Sequence, residues 1–181
     1  MAEEFVVLVD EKDREIGTEE KMKAHRNGGM LHRAFSVFIF DGSGRMMLQK
    51  RAKSKYHAGG LWTNTCCSHP RKGESVEQAA HRKLRQEMGF DSELKEIFSF
   101  IYKAPLDSGL TEHELDHVFV GIFDGKPKPN PDEADGYRMA ETSDILADVR
   151  SNPAHYTPWF RIAIERVAEW QKKNAKLFMR G

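Results

Sequence analysis

The chain has 181 residues, enough for one domain with a buried core and too few for two, so residues 1–181 are expected to form a single domain. Its 28 Lys and Arg against 28 Asp and Glu leave no formal net charge, which removes any global pull toward nucleic acid or an anionic membrane surface. A hydrophobic content of 39% with 11 Phe and 3 Trp argues against disorder, and the longest wholly apolar run, Phe5 to Val9, is far short of the ~18 residues of a membrane span.

The opening Met1-Ala2-Glu3-Glu4 is acidic, the wrong sign for a secretory or mitochondrial presequence. Cys66 and Cys67 are adjacent and poorly placed to form a structural disulfide with each other, which fits reduced thiols and a cytoplasmic setting. In chain order, residues 4–10 read as a strand and 10–17 as a polar turn. Residues 18–26 read as a helix with Thr18 as N-cap and acidic residues in its first turn, ended by Asn27-Gly28-Gly29. Residues 32–40 are a strand of strong β-formers, and Asp41-Gly42-Ser43-Gly44 turns into a second strand over 45–50. A basic loop over 50–60 leads into a mostly extended stretch, 61–69, which Pro70 breaks.

Residues 75–88 give the clearest helix: Val76, Ala80, Leu84 and Met88 form an apolar stripe and Gly89 sits where a C-terminal cap belongs. Residues 93–103 and 114–123 read as strands joined by a loop at 105–109. A proline-rich loop covers 126–135, and 142–150 and 158–176 read as helices. Strands and helices that do not alternate regularly predict an α+β or α/β sandwich, a mixed sheet flanked by helices.

Four groups of residues carry candidate chemistry. His25, His32 and His69, with Glu112 and Glu114, are metal-ligating types. Residues i and i+2 of an extended chain face the same way, so Cys67 can share a face with His69, and Glu112 with Glu114. Imidazole and carboxylate together suit zinc, manganese or magnesium, although each histidine taken alone reads equally as exposed or hydrogen-bonded. The helix carrying Glu74, Arg82 and Glu87 resembles the Nudix box: Glu74, Arg82, Leu84, Glu87, Gly89 and Phe90 match. Ser68, Lys83 and Gln86 depart from it. Nudix hydrolases hold several divalent ions with the carboxylates missing at 83 and 86, so the departures argue against hydrolysis of a diphosphate. The basic run Lys50-Arg51-Ala52-Lys53-Ser54-Lys55 is a solvated surface or, folded over a pocket, a diphosphate grip through Arg51 and Lys55 with Lys21 added. Cys67 with Glu114, Tyr102 and Trp159 is the fourth group; Cys67, Tyr102 and Trp159 taken alone read as core.

Trp62-Thr63-Asn64-Thr65-Cys66-Cys67-Ser68-His69-Pro70, the degenerate Nudix helix, Glu112-His113-Glu114 and Tyr156-Thr157-Pro158-Trp159-Phe160 together resemble type I isopentenyl-diphosphate isomerase over nearly the whole chain. That resemblance implies a Nudix-like α/β/α sandwich. It implies that Cys67, through the Cys-x-His spacing, is the catalytic thiol, acting with Glu114 and Tyr102, and that Cys66 is structural. His25, His32, His69, Glu112 and Glu114 would hold one divalent metal (Mn2+, Zn2+ or Mg2+), and Glu87 an Mg2+ that also touches the diphosphate. Lys21, Arg51, Lys55 and Lys83 would contact phosphate, and Trp159 would face a carbocation, with Phe35 and Trp62 completing a dry wall. The substrate would be isopentenyl diphosphate, acted on by a monomer or weak homodimer without nucleic acid or membrane. A Nudix diphosphohydrolase and a metal-stabilised nucleic-acid-binding module are the competing readings. Lys83 and Gln86 count against the first, and neutral charge with the Glu112–Glu114 pair against the second.

Overall fold

The computed structural model of the chain describes residues 4–55, 57–106 and 109–178. Three readings therefore fall partly outside the described residues: the acidic start (1–3), the basic loop (56) and the 105–109 loop (107–108).

Residues 32–40, dense in Phe, Val and Ile, form the strand on which the rest is built. In chain order the elements are β1 (Phe5–Val9), β2 (Glu15–Glu20), α1 (Lys21–Ala24), β3 (His32–Phe40), β4 (Met46–Arg51), β5 (Trp62–Thr63), β6 (Cys66–Ser68) and α2 (Val76–Met88). Then come β7 (Lys95–Pro105), β8 (Thr111–Ile122), β9 (Ala134–Ala140), α3 (Thr142–Ser151) and α4 (Pro158–Lys173). Every strand among the described residues joins one mixed sheet. Its hub is β3, antiparallel to β1, β4 and β6 and parallel to β8 along its whole length, from His32↔Glu114 to Phe40↔Ile122.

Side chains of a strand alternate between faces. Phe35, Val37 and Ile39 pack with Ala79, Ala80, Leu84 and Met88 of α2. Phe38 and Phe40 pack on the other face with Ile145 of α3 and with Phe160, Ala163, Ile164 and Val167 of α4. The result is the expected α/β/α sandwich, and neither face of β3 is left to water.

The residues of α2 explain its limits. Ser75 is the N-cap of a reciprocal box: the Gln78 N–H donates to Ser75 Oγ (3.1 Å) and the Ser75 N–H to Gln78 Oε1 (3.0 Å), a device that stabilises a helix by about 1 kcal/mol. Gly89 ends it at φ 74, in the left-handed region.

Three expectations are corrected. Residues 18–26 are not a helix: Thr18, Glu19 and Glu20 belong to β2, and a single turn at Lys21–Ala24 follows. Pairing with β1, whose Val6, Val7 and Val9 are buried, outweighs local helix propensity. The cap is Glu20, which accepts from the Met22 and Lys23 N–H groups at 2.8 and 2.9 Å. The proline-rich loop stops before Ala134, where β9 begins and pairs with β4. Its side chains are mostly half-buried, so it carries little apolar alternation.

A Cβ at residue 89 would lie 2.7 Å from the Lys128 carbonyl oxygen, and an L residue in the left-handed region costs about 1–2 kcal/mol. Gly89→Ala should therefore lower unfolding free energy by roughly 2 kcal/mol or more in urea melts. A loss under about 0.5 kcal/mol would show that the chain at 128 yields freely.

Candidate active site

The register of β3 with its neighbours gathers the chemistry-bearing residues. His32 stands opposite Glu114, Glu114 opposite Tyr102 of β7, and Ser36 opposite Cys67 of β6. The short helix α1 delivers His25. Ser36, Cys67 and Glu114 border a cavity of about 40 Å³ whose walls also include Lys21, Arg51, His57, His69 and Trp159, room for one to a few waters; His25, His32 and Tyr102 stand behind that wall. Lys21, Ser68 and His69 also border a wider mouth of about 530 Å³, whose other walls include Arg71, Lys72, Arg82 and Lys83.

Ligand atoms of His25, His32, His69 and Glu114 all lie within 4.8 Å of one another, and so do those of His25, His57 and Glu112. His69 Nε2 is 2.8 Å from Glu114 Oε1, His32 Nε2 is 3.4 Å from the same oxygen, and the two Nε2 atoms are 3.2 Å apart. The rings of His25 and His32 are oriented from behind. A carbonyl can only accept, so His25 Nδ1–H donates to Lys21 O (2.6 Å) and His32 Nδ1–H to Met30 O (2.8 Å), which presents Nε2 as the ligating atom of both. Burial pushes His69 and His57 down to about 3, the neighbouring Arg51 adding to the effect on His57. Burial also lowers His25, against the Lys21 carbonyl. All three are therefore neutral near pH 7, the form that binds metal.

The carboxylates behave as an unequal pair. Burial raises Glu112 well above the usual carboxylate range, and the charge of Glu114 adds to this. Burial works the same way on Glu114, but the imidazoles of His32 and His69 against its carboxylate, His69 Nε2 at 2.8 Å, prevail and hold it well below. Tyr102 Oη lies 2.6 Å from both Glu112 Oε2 and Glu114 Oε2. One hydroxyl donates one proton, so the three oxygens need a further proton or a cation among them. Clustered neutral imidazoles beside such a pair fit a divalent metal.

Burial pushes the Cys67 thiol up to about 12, against the pull of Arg51, whose Nη1 lies 3.9 Å from the sulfur. The Arg51 guanidinium stands 5.4 Å from the centre of the Trp159 ring. Cys66 points the other way, into the α2 core, and both cysteines are free thiols.

Other expected site residues lie differently. Glu87 is in neither ligand group; its carboxylate accepts from Gln49 Nε2 (3.0 Å) and pairs with Lys83 Nζ (3.1 Å). Lys55 borders neither the cavity nor its mouth and is ion-paired with Glu133, which also takes Lys83 at 3.3 Å. Glu112 groups with His57, not with His32 and His69. Phe35 borders the cavity, but Trp62 does not; its ring meets Arg138 and Lys50. Sequence reasoning missed His57, Glu133 and Asn64. His57 sat unremarked beside the basic run, and the Thr63-Asn64 pair stood in a quoted motif without a role.

Residues 30–160 match the family model described as the NUDIX domain, and the chain belongs to that family. A Deinococcus radiodurans crystal structure has the same fold (TM-score 0.74, 20% identity, 90% of this chain and 98% of that one). Another is a MutT protein from Methanosarcina mazei Go1 (TM-score 0.65, 17% identity, 78% and 96%). Within the Nudix family the chain is a member of the isopentenyl-diphosphate Delta-isomerases. It is 51% identical to isopentenyl-diphosphate Delta-isomerase 2 of Aromatoleum aromaticum over 95% of this chain and 90% of the relative. It is 49% identical to the isopentenyl-diphosphate Delta-isomerase of Serratia proteamaculans over 87% and 88%.

Burial, with the Arg51 charge, pushes His57 in the folded chain from its ordinary 6.5 down to about 3. A depressed base contributes stability that is full above the unfolded value and is lost as pH falls toward the folded one. In chelator-treated protein, stability between pH 6 and 4 should fall more steeply in the parent than in His57→Gln, by about 1.4 kcal/mol per pH unit. Superimposable slopes in urea melts would mean that His57 titrates normally.

Proposed function

We propose that Cys67 and Glu114 divide the proton transfers by which the chain isomerises isopentenyl diphosphate to dimethylallyl diphosphate in isoprenoid biosynthesis. The observation that carries this assignment is that thiol, carboxylate and indole border one cavity whose mouth is basic. An isolated alkene is a very weak base, so its protonation needs a held acid and surroundings that tolerate positive charge. A proton added at C4 leaves a tertiary cation at C3, and loss of a proton from C2 forms the new double bond. On the Glu114–Tyr102 side Glu114 is charged at rest, so the first proton it delivers is the one on the Tyr102 hydroxyl, which protonated Glu112 resupplies across 2.6 Å, and Cys67 takes the second. The sulfur is a thiol at rest and must first give its proton to solvent water in the open cavity, leaving a thiolate that Arg51 favours by its charge.

Trp159 faces the cation with its indole, an interaction of roughly 2 kcal/mol in a desolvated site. Lys21, Arg51 and Lys83 hold the diphosphate, and Lys55 joins them if it leaves Glu133. His25, His32, His69 and Glu114 would hold a divalent metal, with His57 and Glu112 beside it, and Glu87 would hold magnesium once Lys83 is drawn from it to phosphate. A cation bound there screens the carboxylates and sets the proton affinity of Glu114. Hydrolysis is disfavoured by Lys83, which neutralises Glu87 at 3.1 Å.

With isopentenyl diphosphate as substrate, Cys67→Ala and Glu114→Gln should each lower product formation by at least about 10³-fold, with folding retained. Parent-like rates in either variant would sink the role assignment. Lys83→Ala should instead raise KM several-fold and change kcat little; the reverse pattern would remove Lys83 from the phosphate grip.

A further inference from the structure

We propose that Asn64 is a positioning residue that sets the indole of Trp159 and the sulfur of Cys67 at a fixed spacing across the cavity. The inference rests on the proposed roles of those two residues. Asn64 is fully buried, and its side chain uses all of its hydrogen-bonding capacity. Its Nδ2 donates to Cys66 O at 2.6 Å and to Val37 O at 3.2 Å. Its Oδ1 accepts from Trp159 Nε1 at 3.2 Å and from Thr63 Oγ1 at 2.8 Å. Carbonyls only accept and an indole N–H only donates, so the orientation of the amide is forced.

The bond to Cys66 O holds the peptide group that leads directly into Cys67, and the bond to Val37 O ties that peptide to β3. The bond from Trp159 fixes the ring at the first turn of α4. One planar amide thus joins the element carrying the sulfur to the element carrying the aromatic face. The start of α4 is anchored in the same place. Thr157 gives its N–H to Trp62 O at 3.0 Å, and its hydroxyl lies 2.8 Å from Thr63 Oγ1 instead of capping its own helix. Because Thr63 donates to Asn64, Thr157 donates to Thr63, and the chain of donors runs from the helix cap to the amide. The residues proposed to grip phosphate make none of these bonds. A change at Asn64 therefore disturbs the placement of reacting atoms and not the affinity for diphosphate.

The test is Asn64→Leu in the metal-loaded enzyme, with kcat and KM for isopentenyl diphosphate, the thermal midpoint and the 15N–1H indole spectrum measured together. Misplacement by about 1 Å costs on the order of 10²-fold in rate, so kcat should fall by about that factor while KM stays within about twofold. The Trp159 indole signal, assigned through Trp159→Phe, should shift and exchange faster with solvent. Should Asn64→Leu not fold, Thr63→Val removes one of the two donors to Oδ1 and should show the same pattern with a smaller loss of kcat. A folded variant with unchanged kcat, or with an unmoved Trp159 indole signal, overturns the inference. So does a loss of kcat that only tracks the fraction unfolded. Cys67→Ala and Trp159→Ala run in parallel: if they are inactive while Asn64→Leu is active, the inference alone fails. If Cys67→Ala is active, the underlying role assignment fails instead.

Discussion

The site depends on the parallel pairing of β3 with β8. A register error of one residue would set His32 opposite His113 or Leu115 and turn Glu114 away from the histidines, because side chains alternate with a period of two. The two strands are buried over nearly all of their length, so a slip would also drive apolar side chains off their packing partners on both faces of the sheet. Core packing and the assembly of the ligand group are thus enforced by the same contact. Tyr102 enters the same row through the antiparallel β7, and Cys67 enters from β6 on the opposite flank of β3.

Electrostatics within this frame follow from burial, with a few charges deciding direction. The buried imidazoles of His25, His57 and His69 stay neutral. Of two adjacent carboxylates, the one against His32 and His69 keeps its charge and the other is driven toward its proton. On α2, a lysine has replaced the first acid of the Nudix helix motif, and its ammonium neutralises the acid that remains. Lys83 and Lys55 share the carboxylate of Glu133, which holds two like charges together beside α2.

Much of this could be read from residues alone, for reasons that can be named. The helix over α2 has a capping box, an apolar stripe and a glycine stop, all local. Glu112 with Glu114 needed only the two-residue period of a strand. The α1 region misled because its local composition favours helix, whereas the demand that decided it, an edge for β1 to pair with, lies elsewhere in the chain. β9 was missed because its half-buried side chains lack clear alternation. The family resemblance supplied every candidate ligand of the two groups except His57. His57 reaches Glu112 at 3.3 Å only because Gly60 and Leu61 return to bond Arg51. Lys55 read as a phosphate contact because sequence cannot reveal its prior engagement by Glu133.

The opposed directions of Cys66 and Cys67 carry a chemical consequence. Were peroxide to convert the cavity sulfur to a sulfenic acid, the usual rescue would be condensation with a second thiol. The chain's other cysteine sits on the far side of the same strand, sealed in the α2 core, and these are its two cysteines. Repair of an oxidised Cys67 therefore depends on a thiol small enough to enter through the basic mouth.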